Sequence, residues 1–161
     1  MSLNSLTTLL WRERELLDLL EFKMEEQQLL LLAGKSQWVD RAAQEIETVL
    51  EKVQTASLAR AVESATVATE LRLDADAALA QIVAAVKDPA WRDVLEGHLT
   101  ALRGSTSRIA ALRETNTQYL RTAQRAAQET LANLDAETYS GTGGRSSDRA
   151  GRSSGLLDTE A

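Results

Sequence analysis

The lone histidine, His98, is the first residue to test for chemistry, because imidazole titrates near neutrality and is the commonest metal ligand. The chain has no cysteine, so His98 completes a zinc site only if several carboxylates converge on it. No HExxH spacing and no serine, aspartate and histidine order accompanies it. It stands instead at a position of helical packing spacing, where a partly buried histidine bonded to a neighbouring helix is expected. Asp74 and Asp76 begin like a calcium loop, but Leu79 occupies the sixth position, which needs glycine, and Ala85 the twelfth, which needs glutamate. Gly141, Gly143 and Gly144 resemble a phosphate loop only in composition, since no strand precedes them and no helix opening with Lys-Ser or Lys-Thr follows. Neither catalysis nor a cofactor is expected.

Polar residues in packing slots say more. In the second half, Trp91, Leu95, His98, Leu102, Ser105, Ile109, Leu112, Asn116, Tyr119, Ala123, Ala126 and Thr130 follow one another at alternating steps of four and three, the signature of a helix laid along partner helices. Ser105 and Asn116 interrupt this seam, as Glu13 and Gln27 interrupt the apolar face of the first helix; such groups lower stability while restricting register or partner. Asn116, set among Leu112, Tyr119 and Leu120, reads as a specificity or binding residue, whereas Glu13 and Gln27 read equally well as solvated interruptions. Gly97 and Gly104 imply close helix approach or looseness, since glycine costs roughly 1 kcal/mol in a helix interior. Arg103, Arg121 and Arg125 project to one side, most simply as a solvated face.

These residues need long helices to position them, and the composition supplies them. Alanine, leucine, glutamate, glutamine and arginine dominate, aromatics make up only 4%, and Pro89 is the single proline. The expected fold is all-α: helices at about 5–33, 36–70, 75–86 and 89–134 within a domain of residues 1–135. The first two form an elongated antiparallel hairpin, and residues 136–161 form a disordered Ser/Gly/Arg-rich tail. Gly34 caps the first helix in the left-handed region, Ser36 or Asp40 caps the second, Asp74 the third, and Asp88 before Pro89 starts the fourth. From Ala56 to Ala68 the second helix is rich in small residues, so its packing there is close but weak. The fourth helix is longer than a compact domain needs, so part of it projects or lies along an elongated hairpin. Leu156 and Leu157 break the polarity of the tail and could form a short docking motif.

The net charge of −6 hides no basic domain, which argues against nucleic acid as a partner. The N-terminus carries no basic leader with an uninterrupted apolar core, and the run Leu29 to Ala33 is far shorter than the ~20 residues of a membrane helix. A cytoplasmic protein without membrane insertion is expected.

The opening LLWRERELLDLLEFKMEEQQLLLLAGKSQWVDRAAQEIETVLEKV and the later RETNTQYLRTAQRAAQETLANL followed by ETYSGTGG resemble the two ends of FlgN-type flagellar export chaperones, with the LLWRERELL start closest to the actinobacterial branch. The resemblance covers about residues 3–144. It implies a type III export chaperone that binds the C-terminal segments of the hook-associated proteins of the hook-filament junction, prevents their premature assembly and delivers them for export. It places the contact on the last long helix, at Leu112, Asn116, Tyr119, Leu120, Ala123, Leu131 and Leu134, with Tyr139 at the start of the tail. Leu120 and Leu134 lie off the strict seam. Contact with the export ATPase or export gate, and a homodimer, remain open on this reading. The alternative is a self-associating coiled-coil or adaptor protein.

Overall fold

Leucine, alanine, glutamate and glutamine fill the segments that fold, and in the computed structural model, which describes residues 2–143, they form four helices: α1 (Ser2–Leu32), α2 (Ser36–Glu70), α3 (Leu79–Ala85) and α4 (Pro89–Gly143). The described residues contain no strand. The tail beyond Gly143, with Leu156 and Leu157, lies outside the described residues.

Glycine ends α1 as expected. Gly34 sits at φ 66, its N–H donates to the Leu31 carbonyl at 3.2 Å, and the Lys35 N–H reaches back to the Leu30 carbonyl at 3.0 Å. Together these form a Schellman cap that satisfies the last carbonyls. Neither Ser36 nor Asp40 caps α2. The turn is so tight that Lys35 takes the cap slot without a side-chain bond, and its carbonyl accepts from the Trp38 N–H. The far end of α2 repeats the Schellman pattern without glycine: Arg72 adopts φ 62, and the Leu73 N–H bonds the Ala68 carbonyl at 2.8 Å. Leu73 and Ala68 then share one apolar cluster, the contact that accompanies such caps.

The third helix starts later than Asp74. The Asp74 backbone carbonyl accepts from Ala77 in a turn, and the Gln81 side chain accepts the Ala78 N–H at 2.8 Å, which moves the start to Leu79. Asp88 does cap α4, its Oδ1 accepting the Ala90 N–H at 2.9 Å. Arg92 ties the two short-range elements together by donating Nε and Nη2 to the Val86 carbonyl at 3.0 and 2.6 Å. The end of α4 corrects the expected boundary near Leu134, because the helix continues through the start of the expected tail to Gly143. Extending a formed helix fixes one residue per added hydrogen bond, so Ala136 and Glu137 prolong it without tertiary packing.

The chain divides into two compact units, Met1–Leu120 and Arg121–Ala161. In the first, α1 runs antiparallel to α2 and parallel to α4. One apolar cluster joins Leu6 and Leu10 of α1, Val67 and Ala68 of α2, Ile82, Val83 and Val86 of α3, and Leu95 of α4. A second joins Leu20, Met24 and Val49, with Ile46, Val53, Ile109 and Leu112 against them. A fully buried leucine such as Leu6 or Leu10 contributes about 1.5–3 kcal/mol. On the alanine-rich half of α2 the small residues Ala56, Ser64 and Ala68 face inward, while Leu58 and Val62 face solvent. The inward face there supplies little bulk.

Between the two clusters along the helices lie Glu13 and Arg60, which form a salt bridge across α1 and α2. Glu13 is buried, so it is no solvated interruption. Removing one partner strands a charge, whereas removing both does not. Glu13→Leu is expected to cost about 2–4 kcal/mol, and Glu13→Leu with Arg60→Leu markedly less. Urea denaturation of the cycle measures this; equal losses in the single and double variants would refute it. Gly97 is exposed, and a Cβ there meets nothing within 4 Å, so close approach is not its reason. Gly97→Ala is expected to raise stability by about 1 kcal/mol, read as a higher urea midpoint.

Candidate partner-binding surface

The polar residues of the seam are assembled by the parallel pairing of α1 and α4. His98 is 2% exposed. Arg14 of α1 places Nη1 3.3 Å from His98 Nδ1. Arginine has only protons to give, so Nδ1 accepts and the imidazole proton sits on Nε2. Trp11 meets the imidazole edge-on, with centroids 5.0 Å apart and planes at 87°, and the Arg14 guanidinium lies 4.5 Å from the Trp11 ring centre. Burial, and then the Arg14 charge, lower the His98 pKa below its ordinary value. This is the hydrogen-bonded interior histidine expected from the spacing. Among the described residues no group of three or more His, Asp or Glu could hold a metal ion.

Further along α4, Arg108 Nε donates to Glu21 Oε1 at 2.6 Å, and that bond raises the arginine's pKa. Asn116 is buried. Its amide nitrogen donates to the Met24 carbonyl at 2.7 Å and to Gln27 Oε1 at 3.1 Å. Gln27 is therefore an interior partner and not a solvated interruption. Asn116 Oδ1 and Ser64 Oγ are buried without a hydrogen-bond partner in the structure.

The residues picked out by resemblance thus separate. Leu112 packs against the cluster of Leu20, Met24 and Val49, and Asn116 is engaged by α1. Leu120 is half-buried, and Tyr119 stands at the edge of exposure. Every residue from Arg121 to Ser140 is exposed. In that stretch Leu131 is 63% exposed, Leu134 54% and Tyr139 87%.

Helical geometry then decides which of these share a face. At 100° per residue, Ala123, Ala127, Leu131 and Leu134, spaced by four, four and three, lie along one stripe. A strict heptad drifts by about 20° per repeat on a straight α-helix, which is why counting by sevens leads to Ala126 and Thr130 and leaves the leucines aside. Tyr139, five residues beyond Leu134, falls about 140° round the helix from it. Ala127 is the stripe residue that heptad counting misses; a period of 3.6 finds it.

The FlgN protein family model matches residues 1–147. The chain belongs to the FlgN family. As a FlgN protein it is a chaperone of flagellar type III export. No curated protein and no solved structure matches the chain. Among the described residues no helix is long and apolar enough to cross a membrane.

The His98 contact makes a pH prediction. A folded pKa lowered below the unfolded value of about 6.5 means that the unfolded chain binds the proton first. The contribution is complete above that pH and is lost as pH falls from it to the lowered folded value, by at most about 1.4 kcal/mol per pH unit. Urea denaturation at stepped pH between about 7.5 and 5.5 is expected to show this loss in the native chain and a flatter profile in His98→Gln. Parallel profiles would remove His98 as the cause.

Proposed function

We propose that this FlgN protein acts in the cytoplasm, without catalysis, as the chaperone of the hook-associated proteins of the hook-filament junction. It binds their C-terminal segments through α4 and delivers them to the export machinery. The observation that carries the reading is the uncovered apolar stripe of Ala123, Ala127, Leu131 and Leu134. A helix with such a stripe accepts an amphipathic helix of the cargo, read through positions three and four apart. Tyr119, Leu120 and Ala123 belong to the same contact on this reading, and Tyr139 touches cargo only where the cargo wraps round the helix. Leu112 and Asn116 serve as positioning residues, holding α4 in register from inside the bundle.

The roles divide cleanly by experiment. Leu131→Ala with Leu134→Ala removes side chains that support nothing else in the fold, so helicity and melting stay unchanged. Affinity for a hook-associated protein's C-terminal segment is expected to fall by about tenfold or more, since two buried leucine contacts are each worth upward of 1 kcal/mol. Calorimetry measures it, and an unchanged affinity would sink the stripe as the cargo site. The same stripe equally suits self-association. Light scattering that shows a stable dimer, dissolved by the same double variant, would favour the adaptor reading instead.

A further inference from the structure

Most of the chain's aromatic rings lie at its surface, and Trp91 packs at the edge of the first apolar cluster. Of three tryptophans, two tyrosines and one phenylalanine, Trp11, Phe22, Trp38, Tyr119 and Tyr139 are exposed, and only Trp91 is half-buried. Phe22 lies on the side of α1 opposite to Leu6, Glu13, Leu20 and Gln27, the positions that face α2 and α4. It is 59% exposed, and Leu29, one heptad further along, is 67% exposed. Scattered surface apolar residues need no explanation, but these two belong to a regular pattern. Glu15, Asp18, Phe22, Glu25 and Leu29 follow at steps of three, four, three and four, and all five are exposed.

The charges on this strip are one-sided. Glu15, Asp18 and Glu25 form no salt bridge among the described residues. Of the neighbouring cations, Lys23 pairs with Glu26 and Glu45 and lies 5.8 Å from the Phe22 ring centre, and Arg14 meets His98. Arg108 is bound to Glu21 and also feels the Asp18 charge, and Arg12, three residues before Glu15, is exposed. The result is a strip with two apolar anchors about 10.5 Å apart and three carboxylates outside any salt bridge among the described residues.

We propose that the outer face of α1 from Glu15 to Leu29 is a docking strip for a basic amphipathic helix of a partner protein. Heptad spacing on the strip matches a helix laid along it. Phe22 and Leu29 receive the apolar residues of that helix, and Glu15, Asp18 and Glu25 pair with its flanking lysines or arginines. A second copy of the same face is a poor occupant, because an antiparallel two-fold contact centred on Phe22 sets Asp18 of each copy against Glu25 of the other and leaves Glu15 facing Leu29. The strip shares no residue with the α4 stripe.

The test uses the full-length chain and labelled synthetic peptides of about 18 residues, five helical turns, with leucines at heptad spacing and flanks of lysine, glutamine or glutamate. Fluorescence anisotropy is expected to show the lysine peptide binding at least about tenfold more tightly than the other two, an advantage lost in high salt. Phe22→Ala weakens its binding about tenfold. Glu15→Gln with Asp18→Asn and Glu25→Gln removes the salt dependence. Circular dichroism confirms that both variants keep their helicity, and Leu131→Ala with Leu134→Ala leaves the peptide affinity unchanged. Equal binding of all three peptides, no binding of the lysine peptide, or indifference to both strip variants would overturn the proposal. So would self-association of the native chain abolished by Phe22→Ala, which would make the strip an interface between copies.

Discussion

The parallel pairing of α1 with α4 is the constraint on which the rest of the fold rests, because chain connectivity does not impose it. A short turn fixes α2 against α1, whereas α4 returns only after all of α2 and α3. Leucine, valine and alanine layers tolerate a slip of one helical turn with little loss. Polar contacts do not. Arg14 on His98, Glu21 on Arg108, and the Met24 carbonyl with Gln27 on Asn116 pin the two helices at three heights along α1. A shift of one turn would break all three and strand buried Asn116 and Gln27. The polar seam residues therefore act first on register.

That division explains what could be read from the sequence and what could not. The helix count, the Gly34 cap and the Asp88–Pro89 start follow from local chemistry, and each stands in the structure as local rules require. The start of α3 was not legible. Asp74 is a good cap by type, but the Gln81 side chain serves Ala78 instead, a choice made by the turn's geometry. Arg72 gave no signal either, since a left-handed arginine persists only because Leu73 packs onto the apolar cluster behind it. Nor could periodicity tell which packing residues are covered by the chain's own helices. Leu112 and Asn116 carry the same spacing as Tyr119 and Ala123, yet Asn116 is buried and Leu112 half-buried while Tyr119 and Ala123 are exposed.

The placement of the aromatics follows from the thinness of the bundle. A core built between narrow helices, with Ala42, Ala56 and Ala68 among its buried residues, leaves small slots that leucine and valine fill, and the Trp91 indole packs only at its edge. Exposed rings other than Trp11, which packs on buried His98, contribute little to folding. They offer rigid, amphipathic area at low entropic cost to whatever docks there. Gly97, in open space, weakens the helix without easing any contact. Both features trade stability for surface.

The exposed stretch of α4 from Arg121 to Ser140 shows how such a surface can be kept ready. An isolated helix of that length is marginal in water because its first turn is costly to form. Here the turn already exists in the residues before Arg121, so each further residue faces only the cost of propagation. Alanine, arginine, glutamine and glutamate keep that cost low. Thr130 and Thr138 bond back to the Ala126 and Leu134 carbonyls at 2.9 and 2.8 Å. Apparent affinity for a partner is the intrinsic affinity multiplied by the fraction of chains in the competent form. A stripe held helical in advance spares the complex most of the ordering entropy that a disordered segment would bring to binding. On the proposed reading, the helix-forming composition of residues 121–138 therefore acts on affinity through helicity as well as through contact.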